Sequence, residues 1–559
     1  MQKKSCKSCA QVFEITDDDL NFYDKISPVL NGKKYPIPTP SLCPDCRMQR
    51  RMSFRNERNL YKRKCDFSNQ EIVSVYPPTS PYKIYDQSIW WSDKWDALEY
   101  GMEYDFTRPF FEQYAELLLR VPRTGLQNDR NENSSYGNDT SNLKNCYLCF
   151  NAQDSEDCCY MTTGGFNSRD CMDIFWSLAC ELSYECTKVD GAYHCFYCFN
   201  CSNINDCYFC EDCLGSKNCF ACIGLRQKEY CVYNQQLDKA TYEAFIKNFE
   251  FTHSAIQAEK EKLRALRFKI PCKNLAISNS EDCLGDYISD SKNCNNCFDV
   301  ISSENGKFIW DAVVNNSYDC FNTGLDTNFA FEAVATYVAN NVKFANICIN
   351  NSDLIYCDSC YYNEHLFACT GLKHKKYCIL NKEYSKENYE ILVAKIIEQM
   401  QKTEEWGEFP PAKLSQFGYN DSMAFEYFPL KRDEAFAKGF KWNDYVKPDL
   451  SGLKTVNGRD LPNSIREVPE EVVKWVIGCE KDGKPYKIIP EELNFYKKQA
   501  LALPRLCPDC RHFERKALIN PRKLWDRHCM KCGKEIKTTY APNRLEIVYC
   551  EECYLKELY

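Results

Sequence analysis

Histidine is scarce in this chain: six in 559 residues, at 194, 253, 365, 374, 512 and 528, none spaced with an obvious partner. No GxSxG elbow, P-loop or HExxH pair occurs, so the usual sequence marks of esterases, nucleotide-binding enzymes and zinc proteases are missing. Nor is there a run of about 18–20 apolar residues, the length a membrane helix needs. The opening residues MQKKSCKSCAQVFEITDDD lack the apolar centre of a secretory signal. Together these absences predict a cytoplasmic chain with no membrane partner. Positive charge is also short, at 71 Lys and Arg against 79 Asp and Glu, a net −8. That excludes a protein coated in nucleic acid over its whole surface and leaves room only for local basic patches.

What is abundant is cysteine, with 38 residues. Small secreted domains reach that density with disulfides, but a chain this long without a signal points to reduced thiols, serving as metal ligands or small core residues. The length predicts three or four domains, and 44% hydrophobic residues suffice for ordinary cores.

Two internal duplications organise the chain. FEITDDDLNFY, SLCPDCR and LYKRKC near the start recur in order near the end as YKIIPEELNFY, RLCPDCR and LWDRHC. In the middle, Phe220 to Glu243 matches Phe367 to Glu390 at 12 of 24 positions, and each copy leads into a predicted helix, over 238–267 and 385–402. Asp238 and Ser385 are the expected N-caps. Within the cysteine-rich tracts a shorter period runs through Cys146, Cys158, Cys171, Cys207, Cys219 and Cys231, at intervals near 12 or small multiples of it, and continues in the second tract through Val342, Leu354 and Leu366. A short repeat of small, polar and aromatic residues, with Asn or Asp before the inward position, predicts a parallel β-solenoid. Whether 12 residues make a whole coil or half of one stays open at this stage.

The metal-ligand spacings lie at the ends. Cys6-x2-Cys9 and Cys43-x2-Cys46 supply four thiolates for a tetrahedral zinc ion, and the second pair opens a basic helix: the treble-clef arrangement. In the duplicate, Cys479, Asp482, Cys507 and Cys510 take the same places. A carboxylate can bind zinc, so a third, weaker site stays open there. Cys529-x2-Cys532 and Cys550-x2-Cys553 form a compact zinc ribbon, whereas its N-terminal counterpart places Cys65, Ser68, Asp86 and Ile89 at the ligand positions and is expected to have lost its metal. Asp17–Asp18–Asp19, duplicated as Pro490–Glu491–Glu492, reads as a helix start. The words CKSCAQVFEITDDDLNFY and LCPDCRMQRR resemble the "probable zinc-ribbon" treble-clef family over about 50 residues, and the whole chain is similar to large bacterial zinc-ribbon proteins of unassigned activity. That resemblance implies zinc and no particular chemistry.

The resulting expectation is an α+β, multi-domain chain. It has a treble clef with a basic helix (1–65), a degenerate ribbon with an aromatic connector (66–132), a first β-solenoid block (133–236), a helical insertion (237–271), a second block (272–383), a helix and connector (384–470), an eroded treble clef (471–528) and a zinc ribbon (529–559). Arg47, Arg50, Arg51, Arg55, Arg58, Lys62 and Arg63 follow the first treble clef, with Glu57 their only acidic neighbour, and suggest a phosphate-facing helix surface. Central pairs such as Cys146/Cys149 should not chelate, since strand residues i and i+3 point to opposite faces, and are read as core thiols. The function expected is a non-enzymatic zinc scaffold docking a protein or a nucleic acid (RNA, the ribosome or DNA). The alternatives are a thiol-based redox or metal-handling enzyme and a nucleic-acid-processing enzyme.

Overall fold

A computed structural model describes residues 2–312, 332, 334, 337–445 and 448–558. Part of the second expected solenoid block (313–331, 333, 335 and 336) and two connector residues (446–447) lie outside the described residues. The chain forms two discontinuous units: Met1–Leu126 with Leu275–Asp444, and Gln127–Asn274 with Tyr445–Tyr559. The expected segments therefore regroup, each unit combining one solenoid block with one end module.

Twelve residues make one whole coil. In the first block Asn205 pairs in parallel with Lys217 and Lys217 with Glu229; in the second Ser352 pairs with Glu364 and Glu364 with Lys376. The backbone turns into the left-handed region at every third residue, as at His194, Tyr197, Asn200, Asn203, Asp206, Phe209 and Asp212. Four such corners close each coil into a four-sided ring. Asn and Asp tolerate this conformation better than other non-glycine residues, which explains the recurrent Asn or Asp before the inward position.

The residue after each corner points inward, so residues i and i+3 share the interior. This corrects the expectation drawn from extended strands: a corner stands between them. Cys195, Cys198, Cys201, Ile204, Cys207, Cys210 and Cys213 are all buried in this way. In a coil this narrow cysteine predominates, with aliphatics such as Leu143, Ile204, Leu354 and Leu366 interspersed. Cysteine suits it because a thiol packs like a small hydrophobe yet can donate weakly to main-chain carbonyls. The Cys198 Sγ lies 3.6 Å from the Phe196 carbonyl and 3.3 Å from that of Cys207, one coil on. Ser155 uses its Oγ the same way, toward Gln153 and Gly165. Outside, corner side chains form ladders, Asn133 to Asn145 at 3.2 Å and Asn145 to Asp157 at 3.0 Å. Where the register slips in the second block, Gly285 has φ +154° and no room for a Cβ, which would lie 1.7 Å from the Cys297 carbonyl oxygen.

The two blocks correspond residue for residue over their last coils. Strands Phe199–Tyr208, Lys217–Phe220 and Glu229–Val232 map onto Asn346–Ile355, Glu364–Phe367 and Lys376–Ile379. Each stack ends on an Asn that bonds the coil beneath with both ends of its amide: Asn234 to Ile223 and Asn381 to Thr370. Asp238 and Ser385 then cap their helices as expected, accepting from the Thr241 and Asn388 amides. The second helix, Lys386–Lys402, is continuous. The first, expected over 238–267, is two: Lys239–Asn248 and His253–Arg267. Phe249 and Phe251 between them turn in against Phe209 and Phe220 of the solenoid, and Thr252 caps the new helix. Among the described residues, no helix is long and apolar enough to cross a membrane.

The corner rule has a direct test. Asp170 (φ +50°) precedes the inward Cys171. Asp170→Gly should leave stability nearly unchanged, whereas Asp170→Val should cost about 1–2 kcal/mol in urea unfolding, because a β-branched side chain is strained at positive φ.

Candidate metal centres

The turn that presents each first ligand pair is built four times over. In it, the residue after the second ligand position takes a left-handed conformation: Ala10, Asn69, Gly483 and Gly533. Its amide bonds back to the first ligand's carbonyl at 2.9–3.0 Å (Ala10 to Cys6, Asn69 to Cys65, Gly483 to Cys479, Gly533 to Cys529). The amides of Cys6, Cys65, Cys479 and Cys529 then bond Gln11, Gln70, Lys484 and Lys534 at 2.8–2.9 Å. These bonds turn both side chains of a knuckle to one side.

The second pair is delivered by a helix. Cys43 is the N-cap of Pro44–Met52 and Cys507 that of Pro508–Lys516, with Cys46 and Cys510 in the first turns. Cys550 directly precedes the helix Glu551–Leu558, which carries Cys553. The last module therefore differs from the expected ribbon: its second knuckle opens a helix, and the short strand before it, Val548–Tyr549, pairs with Cys272–Lys273 instead. A helix N-terminus favours anionic ligands, because its free amides and dipole stabilise negative charge.

Three groups of four come together: Cys6, Cys9, Cys43 and Cys46; Cys529, Cys532, Cys550 and Cys553; and Cys479, Asp482, Cys507 and Cys510. Within each group the ligand atoms lie within 4.8 Å of one another. The Cys9–Cys43 and Cys532–Cys550 sulfurs are 3.7 and 3.8 Å apart, and Asp482 Oδ1 is 3.9 Å from the Cys507 sulfur. Four thiolates about 2.3 Å from a tetrahedral ion stand about 3.8 Å apart, so the donor sets fit such an ion. The fourth copy keeps the shape with a different chemistry. Asp86 caps the helix Gln87–Trp90, accepting from the Ser88 amide, and its own amide points at the Cys65 sulfur at 3.2 Å.

The arginines expected to face phosphate are turned inward. Arg50 pairs with Glu332 at 2.9 Å and with Glu408 at 3.2 Å, while Arg47 and Arg51 reach the same Glu332 at 3.9 and 3.8 Å. Arg55 pairs with Glu57, Arg58 with Glu426 and Arg63 with Asp66. Of the seven residues only Lys62, beside Glu71, is exposed. The cause is packing: the helix opened by the knuckle lies buried, and guanidinium, weakly hydrated and planar, is the cation best suited to burial against a carboxylate. The duplicate repeats the device, with Arg511 and Arg515 at 2.8 and 2.9 Å from the two oxygens of Asp173 on a solenoid corner. Sequence reasoning missed Asp173 and Glu332, whose only signal was the retention of Arg47/Arg511 and Arg51/Arg515 in both copies.

The central thiols shift both ways: burial pushes Cys195 well above the ordinary value and Cys198 up to about 11, whereas hydrogen bonds from neighbouring thiols bring Cys146 down to about 4 and Cys213 well below the ordinary value. Outside the metal groups, Cys283 alone of the described cysteines is not buried.

No protein-family model matches the chain, and no curated protein matches it. Among solved structures, one titled a "putative acetyltransferase" from Desulfovibrio desulfuricans G20 aligns with 40% of this chain at 10% identity and a TM-score of 0.10. The alignment spans 62% of that protein, and at this score it carries no argument about fold or function.

Removing a single carboxylate should expose how much the inward arginines matter. Asp173→Ala leaves two buried guanidiniums without it and is expected to cost about 3–5 kcal/mol in urea unfolding. A loss under about 1 kcal/mol, the scale of a surface ion pair, would mean that solvent reaches them.

Proposed function

We propose that this chain is a non-enzymatic, zinc-binding scaffold, in which treble-clef modules clasp narrow β-solenoids and the solenoid exteriors dock a macromolecular partner. The observation that carries the reading is the inward use of the knuckle helices. In each unit a helix held by one metal group spends its arginines on a buried carboxylate, Glu332 or Asp173. A metal that orders such a helix acts on the fold, as structural zinc does when metal binding is coupled to folding. Zinc is favoured over other ions by thiolate-rich, four-coordinate donor sets closed by protein ligands. The partner, whether a protein or a nucleic acid, would be met by surfaces other than the arginine-bearing helices.

Native mass spectrometry and elemental analysis of the purified chain should give three zinc ions and no iron. Cys43→Ser, Cys510→Ser and Cys550→Ser should each remove one. Alkylation of the zinc-loaded protein should modify Cys283 first among the described cysteines. Bound iron, or rapid labelling of several central thiols, would favour the thiol-based redox reading instead.

A further inference from the structure

The correspondence between the two solenoid blocks shows where they part company. At one point the pattern of a buried core changes into that of a ligand site. In the first block, Phe196 and Tyr208 project from adjacent coils and meet Phe251, at ring distances of 5.6 and 5.4 Å. The corresponding residues of the second block are Lys343 and Ile355. No phenylalanine fills in from outside, because there the helix Lys386–Lys402 runs unbroken. Neighbouring residues are retained: Asp353 stands for Asp206, Tyr377 for Tyr230 and Tyr389 for Tyr242.

The aromatic filling is replaced by a cavity of about 220 Å³. Its walls are the corner ladder Asn341, Asp353, His365 and Tyr377, the helix residues Lys386, Tyr389, Glu390 and Val393, and the hairpin residues Pro28, Val29 and Leu30. The hairpin is pinned to the helix by Lys33 and Tyr35, which bond Glu398 at 2.7 and 3.2 Å.

Lys343 lines this cavity and is only 1% exposed. Its ammonium bonds the neutral Asn341 side-chain oxygen, which leaves two further N–H donors and a whole positive charge. Asp353, the nearest carboxylate to influence it, acts through space and is itself bonded by Asn341, with His365 Nδ1 at 3.4 Å. Among the described residues no carboxylate is paired with this ammonium; burying it so is costly, and the duplicate demonstrates that phenylalanine is accommodated at this position. Burial pushes Lys343 down to about 8.

We infer that this cavity binds a small organic carboxylate with an apolar, ring-sized body, its carboxylate paired with Lys343 and its body lying where Phe251 lies in the other block. The size agrees, since a dry cavity of about 150 Å³ takes a benzene ring and this one is larger by roughly a carboxylate. Ile355, Val393 and Leu30 offer the apolar wall.

Benzoate, titrated into the full zinc-loaded chain and followed by NMR or calorimetry, is the probe. It should bind once per chain with Kd on the order of 1 mM, as expected of a nine-atom ligand. Lys343→Met should weaken binding at least tenfold. Lys343→Phe, which copies the duplicate, should abolish it while leaving thermal unfolding unchanged or raised, and so separates loss of the site from loss of the fold. Asp353, His365, Lys386, Glu390, Tyr377 and Tyr389 also face the cavity, so the pH profile is diagnostic. Affinity should fall as pH rises through about 8, where Lys343 loses its proton; an affinity that does not fall there would overturn the assignment. Benzylamine binding as well as benzoate, inorganic phosphate competing equally, or no saturable binding would each overturn it as well.

Discussion

The left-handed corner at every third residue is the constraint on which the rest of this structure depends. It makes the coil only twelve residues around, and a ring that small has an interior one side chain wide. Such a core leaves out the aromatic rings that stabilise most domains, and its inward positions go mainly to cysteine, serine and alanine, with aliphatics such as Leu143, Leu354 and Leu366 between them. Little apolar area is gained per coil, and stability must come from elsewhere, as in other small-cored folds that rely on added staples. Main-chain ladders, corner amide ladders and aromatic rings on the outer faces supply part of it. The end modules supply the rest.

Those modules carry the same logic outward. Each is short of core itself and is ordered by ligand pairs fixed in a repeated turn and a helix N-terminus. Two of them, built on Pro44–Met52 and Pro508–Lys516, then present arginines to a buried carboxylate, whereas the helix Glu551–Leu558 carries none. Under the proposed function, a bound metal, the knuckle helix and the solenoid corner form one chain of dependence. A module without its metal would leave Glu332 or Asp173 facing no fixed guanidinium.

Much of this was legible in the residues. The Cys-x2-Cys spacings placed two ligand groups, the duplication placed the third with its Asp482, and the interval near 12 announced the solenoid. The length of a coil was not, since sequence period alone cannot say how many corners close a ring; the Asn or Asp before each inward cysteine was the available clue. The inward direction of i and i+3 failed because strand geometry was assumed where a corner intervenes. The basic helix misled for a different reason. Arg47, Arg50 and Arg51 look identical as a phosphate-binding face and as a clasp, and what decides between them, Glu332, lies 282 residues from Arg50 in the chain. The grouping of each end module with a solenoid block depends on equally distant pairings.

Hydrogen exchange on the chain, before and after zinc is withdrawn with a chelator, tests the central claim most directly. The account predicts that protection is lost together in Pro508–Lys516 and in the coil carrying Asp173, and likewise in Pro44–Met52 and the strand Asn346–Ile355, whose Asn346 pairs with Val334. Loss confined to the knuckle turns, with both helices and both coils still protected, would contradict it.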